Sequence, residues 1–156
     1  MAAAAHREEA VDLVHDFRPD LITVTGDFVN HDAAEFPVIA PALSRLHADL
    51  GVYGCLGNHD HYAQVDDVVR QVRGTAVDLL VNEGRTLSLD GARLHLIGTD
   101  NTGFYQNFAD LPGAQATLDP HSEGEETRIL LAHTPTYWDS HIRPNHPEID
   151  LMLCGH

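Results

Sequence analysis

The sequence predicts an α/β fold, and three features carry that expectation. Short apolar runs rich in β-branched residues alternate with segments whose apolar residues recur at helical spacing. The early runs are continuously apolar, as parallel strands buried on both faces are. From Val77 the texture changes to closely spaced short runs, with Asp90-Gly91 between two of them, which signals a hairpin.

The first element is a helix from about Ala5 to Phe17, in which Ala10, Leu13, Val14 and Phe17 fall on one face and Arg18-Pro19 forces an end. Leu21 to Thr25 is the first strand, stopped by Gly26-Asp27. Helical spacing returns from Asp32 to Ala48 through Ile39, Leu43 and Leu46, with Pro37 and Pro41 disturbing its start. Val52 to Leu56 is the second strand and closes on Gly57-Asn58-His59-Asp60. Val65, Val68, Val69 and Val72 mark a third helix that Gly74 can terminate. Three short strands follow, Val77–Val81, Thr86–Leu89 and Leu94–Ile97. The segment from Thr99 to Glu126 reads as a long surface loop with a short helix around Ala109 to Leu118. Ile129 to Ala132 before His133, and Leu151 to Cys154 before Gly155-His156, are the last two strands.

With 156 residues, 43% of them hydrophobic, the chain suits one domain with one sizeable core. Its net charge is −15, and all nine basic residues are Arg, so the basic footprint of a long nucleic-acid partner is excluded. No apolar run approaches the roughly 18 to 20 residues of a membrane-spanning helix. Met1 to His6 lacks the pattern of a signal peptide. Cytoplasmic placement and membrane association through a preceding segment both stay open, and oligomeric state has no signature. Cys55 and Cys154 lie inside apolar runs and read as small buried hydrophobes.

Four apolar runs end at residues able to bind a metal: Asp27, then Asn58 with His59 and Asp60, then His133, then His156. Each alone also reads as an ordinary turn or structural histidine. Ligands of open α/β sheets gather beyond the carboxyl ends of the strands, so these side chains would converge in one crevice. The glycines at 26, 57 and 155 suit tight turns or close backbone approach there. Carboxylate, amide oxygen and imidazole together suit Mn, Fe or Zn, and a shared carboxylate is a common way to build a two-metal hydrolytic site.

Gly26-Asp27, Gly57-Asn-His-Asp60, the strand-end His133 and Gly155-His156 resemble, in order and interval, the motifs of the calcineurin-like metallophosphoesterases. The resemblance runs from about Leu21 to His156 and is nearest to the bacterial branch that includes envelope-associated phosphohydrolases. It implies a sandwich of two sheets flanked by helices, with a two-metal site at one edge. It further implies hydrolysis of a small phosphoester or diphosphate by a metal-bridging hydroxide. On that pattern Asp27 bridges two ions, while Asn58, His133 and His156 complete one of them. His59 is the catalytic imidazole, and Asp60 orients it and holds its charged form.

The family's opening Asp-x-His and the final His of its Gly-His-x-His are missing. The sequence is therefore expected to be an incomplete domain, cut at both ends, that binds at most one ion and has little activity by itself. The alternative is a non-catalytic interaction module on the same fold with a degenerate metal edge. Asn30 and His31 could rim the site, although exposed positions suit them as well. His61 reads as an exposed loop histidine, and Phe104, Tyr105 and Phe108 as aromatic pins of their loop.

Overall fold

A computed structural model describes residues 2–89, 91–103, 107–120 and 124–156. The chain opens with helix α1 (Ala2–Asp16) and strand β1 (Ile22–Val24). The expected helix over Asp32–Ala48 is two pieces, a 3₁₀ helix over Ala33–Val38 and α2 (Ala40–Arg45). Pro37 lies inside the first and Pro41 at the start of the second, where a missing N–H does least harm. The Asp32 carboxylate caps the first piece by accepting from the Ala34 N–H.

Strand β2 (Val52–Gly54) leads into α3 (Asn58–Tyr62), so the Gly-Asn-His-Asp turn continues as a short helix that the apolar pattern does not reveal. Helix α4 (Val65–Val72) occupies the expected valine stripe and buries Val68 and Val72. Next come β3 (Asp78–Leu79), β4 (Glu83–Leu89), β5 (Ala92–Gly98), α5 (Leu111–Ala116) and β6 (Glu126–Leu131). A helical turn over Trp138–Ile142 runs into α6 (Arg143–Asn145), followed by β7 (Leu151–Leu153). Strands β4 and β5 form the expected antiparallel pair, with Leu89 opposite Ala92. Asp90 of that hairpin signal lies outside the described residues, as do Phe104 and Tyr105 of the long loop. The start of that loop is not on the surface as expected: Thr99, Asn101 and Thr102 are buried.

The strands make two sheets. The first is parallel, in the order β1-β2-β3, and the second runs β4-β5-β6-β7, with β5, β6 and β7 parallel. Ile22, Val52 and Leu79 pack outward against Val11 of α1, Leu43 of α2 and Val68 of α4. Tyr53, Cys55, Leu80, Leu94, Leu96 and Leu131 fill the space between the sheets. Ile97 and Leu130 face Leu111 and Ala114 of α5 and Ile142 on the far side. Helices, sheet, sheet and helices therefore form four layers, the expected two-sheet α/β sandwich. Each fully buried Leu or Ile contributes on the order of 2 kcal/mol through lost contact with water.

Of the two cysteines only Cys55 is buried, and Cys154 is exposed, which corrects the expectation for the second. Burial, with the charges of Asp60 and Asp100 as lesser causes, pushes the Cys55 thiol up to about 12. A thiol reagent near pH 8 is expected to titrate Cys154 in the native protein and both cysteines in denaturant. Fast native reaction of both would contradict this packing.

Candidate metal centre

The turn after β1 and the turn after β2 are built as one unit. Gly26 has φ +89°, and a methyl group on it would lie 2.5 Å from the Gly57 nitrogen. A side chain on Gly57 would collide with the Asp27 carboxylate. Only glycine permits this approach. Asp27 itself has φ +56°, a left-handed conformation that Asp tolerates better than most residues.

Asp60 holds the unit together. Its buried carboxylate accepts from the Phe28 N–H (2.8 Å) and Val29 N–H (3.3 Å) on Oδ1, and from the Gly57 N–H (2.8 Å) and Asp27 N–H (3.0 Å) on Oδ2. Burial pushes this carboxyl above its ordinary range; the Gly57, Val29 and Phe28 N–H groups pull against it, and the Asp27 charge adds to it. The expected role of Asp60 in orienting His59 is corrected, because all these contacts are backbone amides. The His59 ring is held elsewhere: Nδ1–H donates to the Asn30 carbonyl at 2.6 Å. Asn30 and His31 are both exposed; Asn30 lines the cavity beside Asp27, and the His31 and His59 rings are 5.7 Å apart.

Asp27 is the meeting point. Its Oδ1 accepts the His59 N–H at 3.0 Å, and its Oδ2 lies 3.1 Å from His133 Nε2. The His133 ring is 1% exposed, and its Nδ1 is 2.5 Å from the Thr25 carbonyl oxygen, so Nδ1 carries the proton and Nε2 the lone pair. Nε2 is a buried atom without a hydrogen-bond partner despite its closeness to Asp27, and so is Asn58 Oδ1. His156 is exposed; its ring stands edge-on to that of His133 at 5.2 Å, and its N–H donates to the His133 carbonyl. Among the described residues no three His, Cys, Asp or Glu side chains form a group able to hold a metal ion. The groups at this edge are instead mixed: the Asp27 carboxylate next to the His133 lone pair, the His156 ring edge-on to that of His133, and, at the start of α3, the buried Asn58 amide oxygen. That chemistry fits a divalent transition metal. A cavity of about 470 Å³ opens beside Asp27, Asn30 and His59.

His61 is not the exposed loop residue expected. It pairs with Asp100, and Phe108, half exposed, stacks on it at 4.7 Å. The Thr25 and Asn30 carbonyls were invisible to a reading of side-chain types, because every residue has such an acceptor.

Asp60→Asn puts an amide donor where two N–H groups now find an acceptor, leaving buried donors unsatisfied. A loss of about 2 to 4 kcal/mol in a urea titration is expected. A loss under about 0.5 kcal/mol, as for an ordinary surface substitution, would mean that Asp60 does not hold the two turns.

Comparison with known proteins agrees with the geometry. A family model described as calcineurin-like phosphoesterase matches residues 4–156. The chain is 29% identical over 165 residues to a metallophosphoesterase of Aquifex aeolicus, covering 96% of this chain and 56% of that one. It is also 29% identical over 147 residues to the metallophosphoesterase YkuE of Bacillus subtilis, covering 92% and 48%. To UDP-2,3-diacylglucosamine pyrophosphatase LpxG of Chlamydia trachomatis it is 42% identical over 125 residues, covering 78% and 34%. The chain thus spans about half of the first two and a third of the last. Among solved structures, Haemophilus influenzae NAD nucleotidase (TM-score 0.59, 16% identity) covers 99% of this chain with 32% of its own. Thermus thermophilus SoxB (TM-score 0.62, 15% identity) covers 99% with 33%, and both likenesses show the fold alone. With its sandwich, its strand-end donors and a family match over nearly all its length, the chain belongs to the calcineurin-like phosphoesterases.

Proposed function

We propose that the edge formed by Asp27, Asn58, His133 and His156 holds a divalent transition metal, Mn, Fe or Zn. On this reading the chain serves the hydrolysis of a small phosphoester or pyrophosphate. One observation carries it: a buried imidazole lone pair faces a carboxylate oxygen at 3.1 Å, and the Asn58 amide oxygen, at the start of α3, is buried and accepts no hydrogen bond. Buried acceptors without donors are expensive unless a cation meets them. When bound, such ions polarise the phosphoryl group and make a water-derived nucleophile available near neutral pH.

The chain's own residues do the rest. Asp27 is placed to serve as a shared carboxylate, since Oδ1 and Oδ2 diverge toward the α3 side and the His133 side. With Nδ1–H committed to the Asn30 carbonyl, His59 keeps Nε2 as the atom that gives a proton to the leaving oxygen or a hydrogen bond to the phosphoryl group. Asp60 keeps both turns in place and touches no reacting atom. The charge of −15 disfavours long polyanions, so the substrate is small. The similarity to LpxG, named as a pyrophosphatase of UDP-2,3-diacylglucosamine, supports a diphosphate of that general kind.

After dialysis, elemental analysis is expected to find about one ion per chain, and Asp27→Asn is expected to lose it. In the protein translated from the whole natural reading frame, His59→Gln should keep its metal while aryl phosphodiester turnover falls by about 10² to 10⁴. A His59→Gln protein that sheds its metal but keeps its rate per bound ion would overturn the role of His59. A wild-type chain that takes up no Mn, Fe or Zn would favour the non-catalytic interaction module instead.

A further inference from the structure

Asp27 and Asn58 follow strands of the first sheet, His133 and His156 strands of the second. Whether these donors can share an ion therefore depends on how far apart the sheets stand at this edge. One tie across the gap is the His133 Nδ1–H bond to the Thr25 carbonyl. A second tie takes no part in the chemistry above. His61, three residues after Asn58 on α3, has Nε2 2.6 Å from Oδ1 of Asp100, which follows β5, and the two side chains are only 10% and 13% exposed.

The second-sheet partner is itself rigidly placed. Asn82 Oδ1 accepts the Asp100 N–H at 2.9 Å and the Asp110 N–H at 2.8 Å, and Asn82 Nδ2 donates to the Phe108 carbonyl at 2.9 Å. Asp100 Oδ1 also accepts the Asn101 N–H at 2.6 Å. The Phe108 ring covers the His61 imidazole. A mostly buried pair held on both sides in this way fixes a distance between two elements, which an isolated surface ion pair does not.

We propose that His61 and Asp100 are a positioning pair: they hold α3, and with it Asn58, at the separation from the second sheet that lets the four donors close on one ion. The inference rests on the metal reading above. It follows because ligand distances tolerate only about 0.2 Å, and α3, which Asp60 and the His59 N–H tie to the first sheet, meets the second sheet through His61 and Asp100.

The test is equilibrium dialysis of the chain against Mn(II), with the thermal midpoint of the metal-free protein measured alongside. His61→Ala is expected to weaken Mn(II) binding about 10- to 100-fold, the usual scale for losing a group that supports a ligand. His61→Gln, whose amide nitrogen can replace Nε2 as donor to Asp100, should bind within about threefold of wild type. Val52→Ala empties a buried site at the amino end of β2, the end opposite the candidate edge; it should lower the midpoint while leaving Mn(II) affinity at the wild-type value. If His61→Ala does not fold, Asp100→Leu, which keeps roughly the shape but offers no acceptor to His61, carries the same expected weakening. Wild-type affinity in the His61→Ala or Asp100→Leu protein would overturn the proposal, as would an equal loss in Val52→Ala. A wild-type chain that binds no Mn(II) would instead overturn the metal reading and the pair's role with it.

Discussion

Four backbone amides, from Asp27, Phe28, Val29 and Gly57, converge on the buried carboxylate of Asp60, and the candidate centre follows from that convergence. Two turns that end neighbouring strands each leave N–H groups pointing inward, where water cannot reach them. One anion answers all four. No arginine is among its partners, so the charge is stabilised by dipoles that belong to the turns themselves. Pulling Asp60 away would release the left-handed Asp27 and the N-terminus of α3 together, and with them the carboxylate that meets His133 and the Asn58 that opens α3.

Much of this was legible in the sequence, because an apolar run that stops at a ligand-type residue reports both a strand and the edge where it ends. The strand-end placement of Asp27, Asn58, His133 and His156 was legible that way, and the hairpin and the valine helix by their spacing. The role of Asp60 in orienting His59 came from the family resemblance; in the structure its carboxylate turns to backbone amides instead, and consecutive helical residues point about 100° apart. The partners that hold His59 and His133 are carbonyls, and no pattern of side chains marks one carbonyl above another. His61 meets an aspartate 39 residues away, across the hairpin, a distance over which the sequence keeps no register. The helix that broke into two pieces did so around Pro37 and Pro41, where propensity gave way to missing N–H donors.

The two sheets do different work. Between them lies an apolar filling of Tyr53, Cys55, Leu80, Leu94, Leu96 and Leu131, which sets the mean separation without directing any polar atom. At the edge the filling ends, and separation is set by single polar contacts, Thr25 with His133 and Asp100 with His61. A non-directional core thus hands control to directional bonds where chemistry needs defined distances.

The bond between Thr25 and His133 spans 108 residues of chain, whereas the paired ends of β4 and β5, Leu89 and Ala92, are three residues apart in sequence. Loop closure over long separations is entropically slow and follows local pairing. During synthesis the hairpin can form while the second half of the centre is still inside the ribosome. The crevice exists only after His133 and His156 have emerged and docked against β1. On the metal reading proposed above, an ion would be captured only after the topology is settled and would not nucleate it.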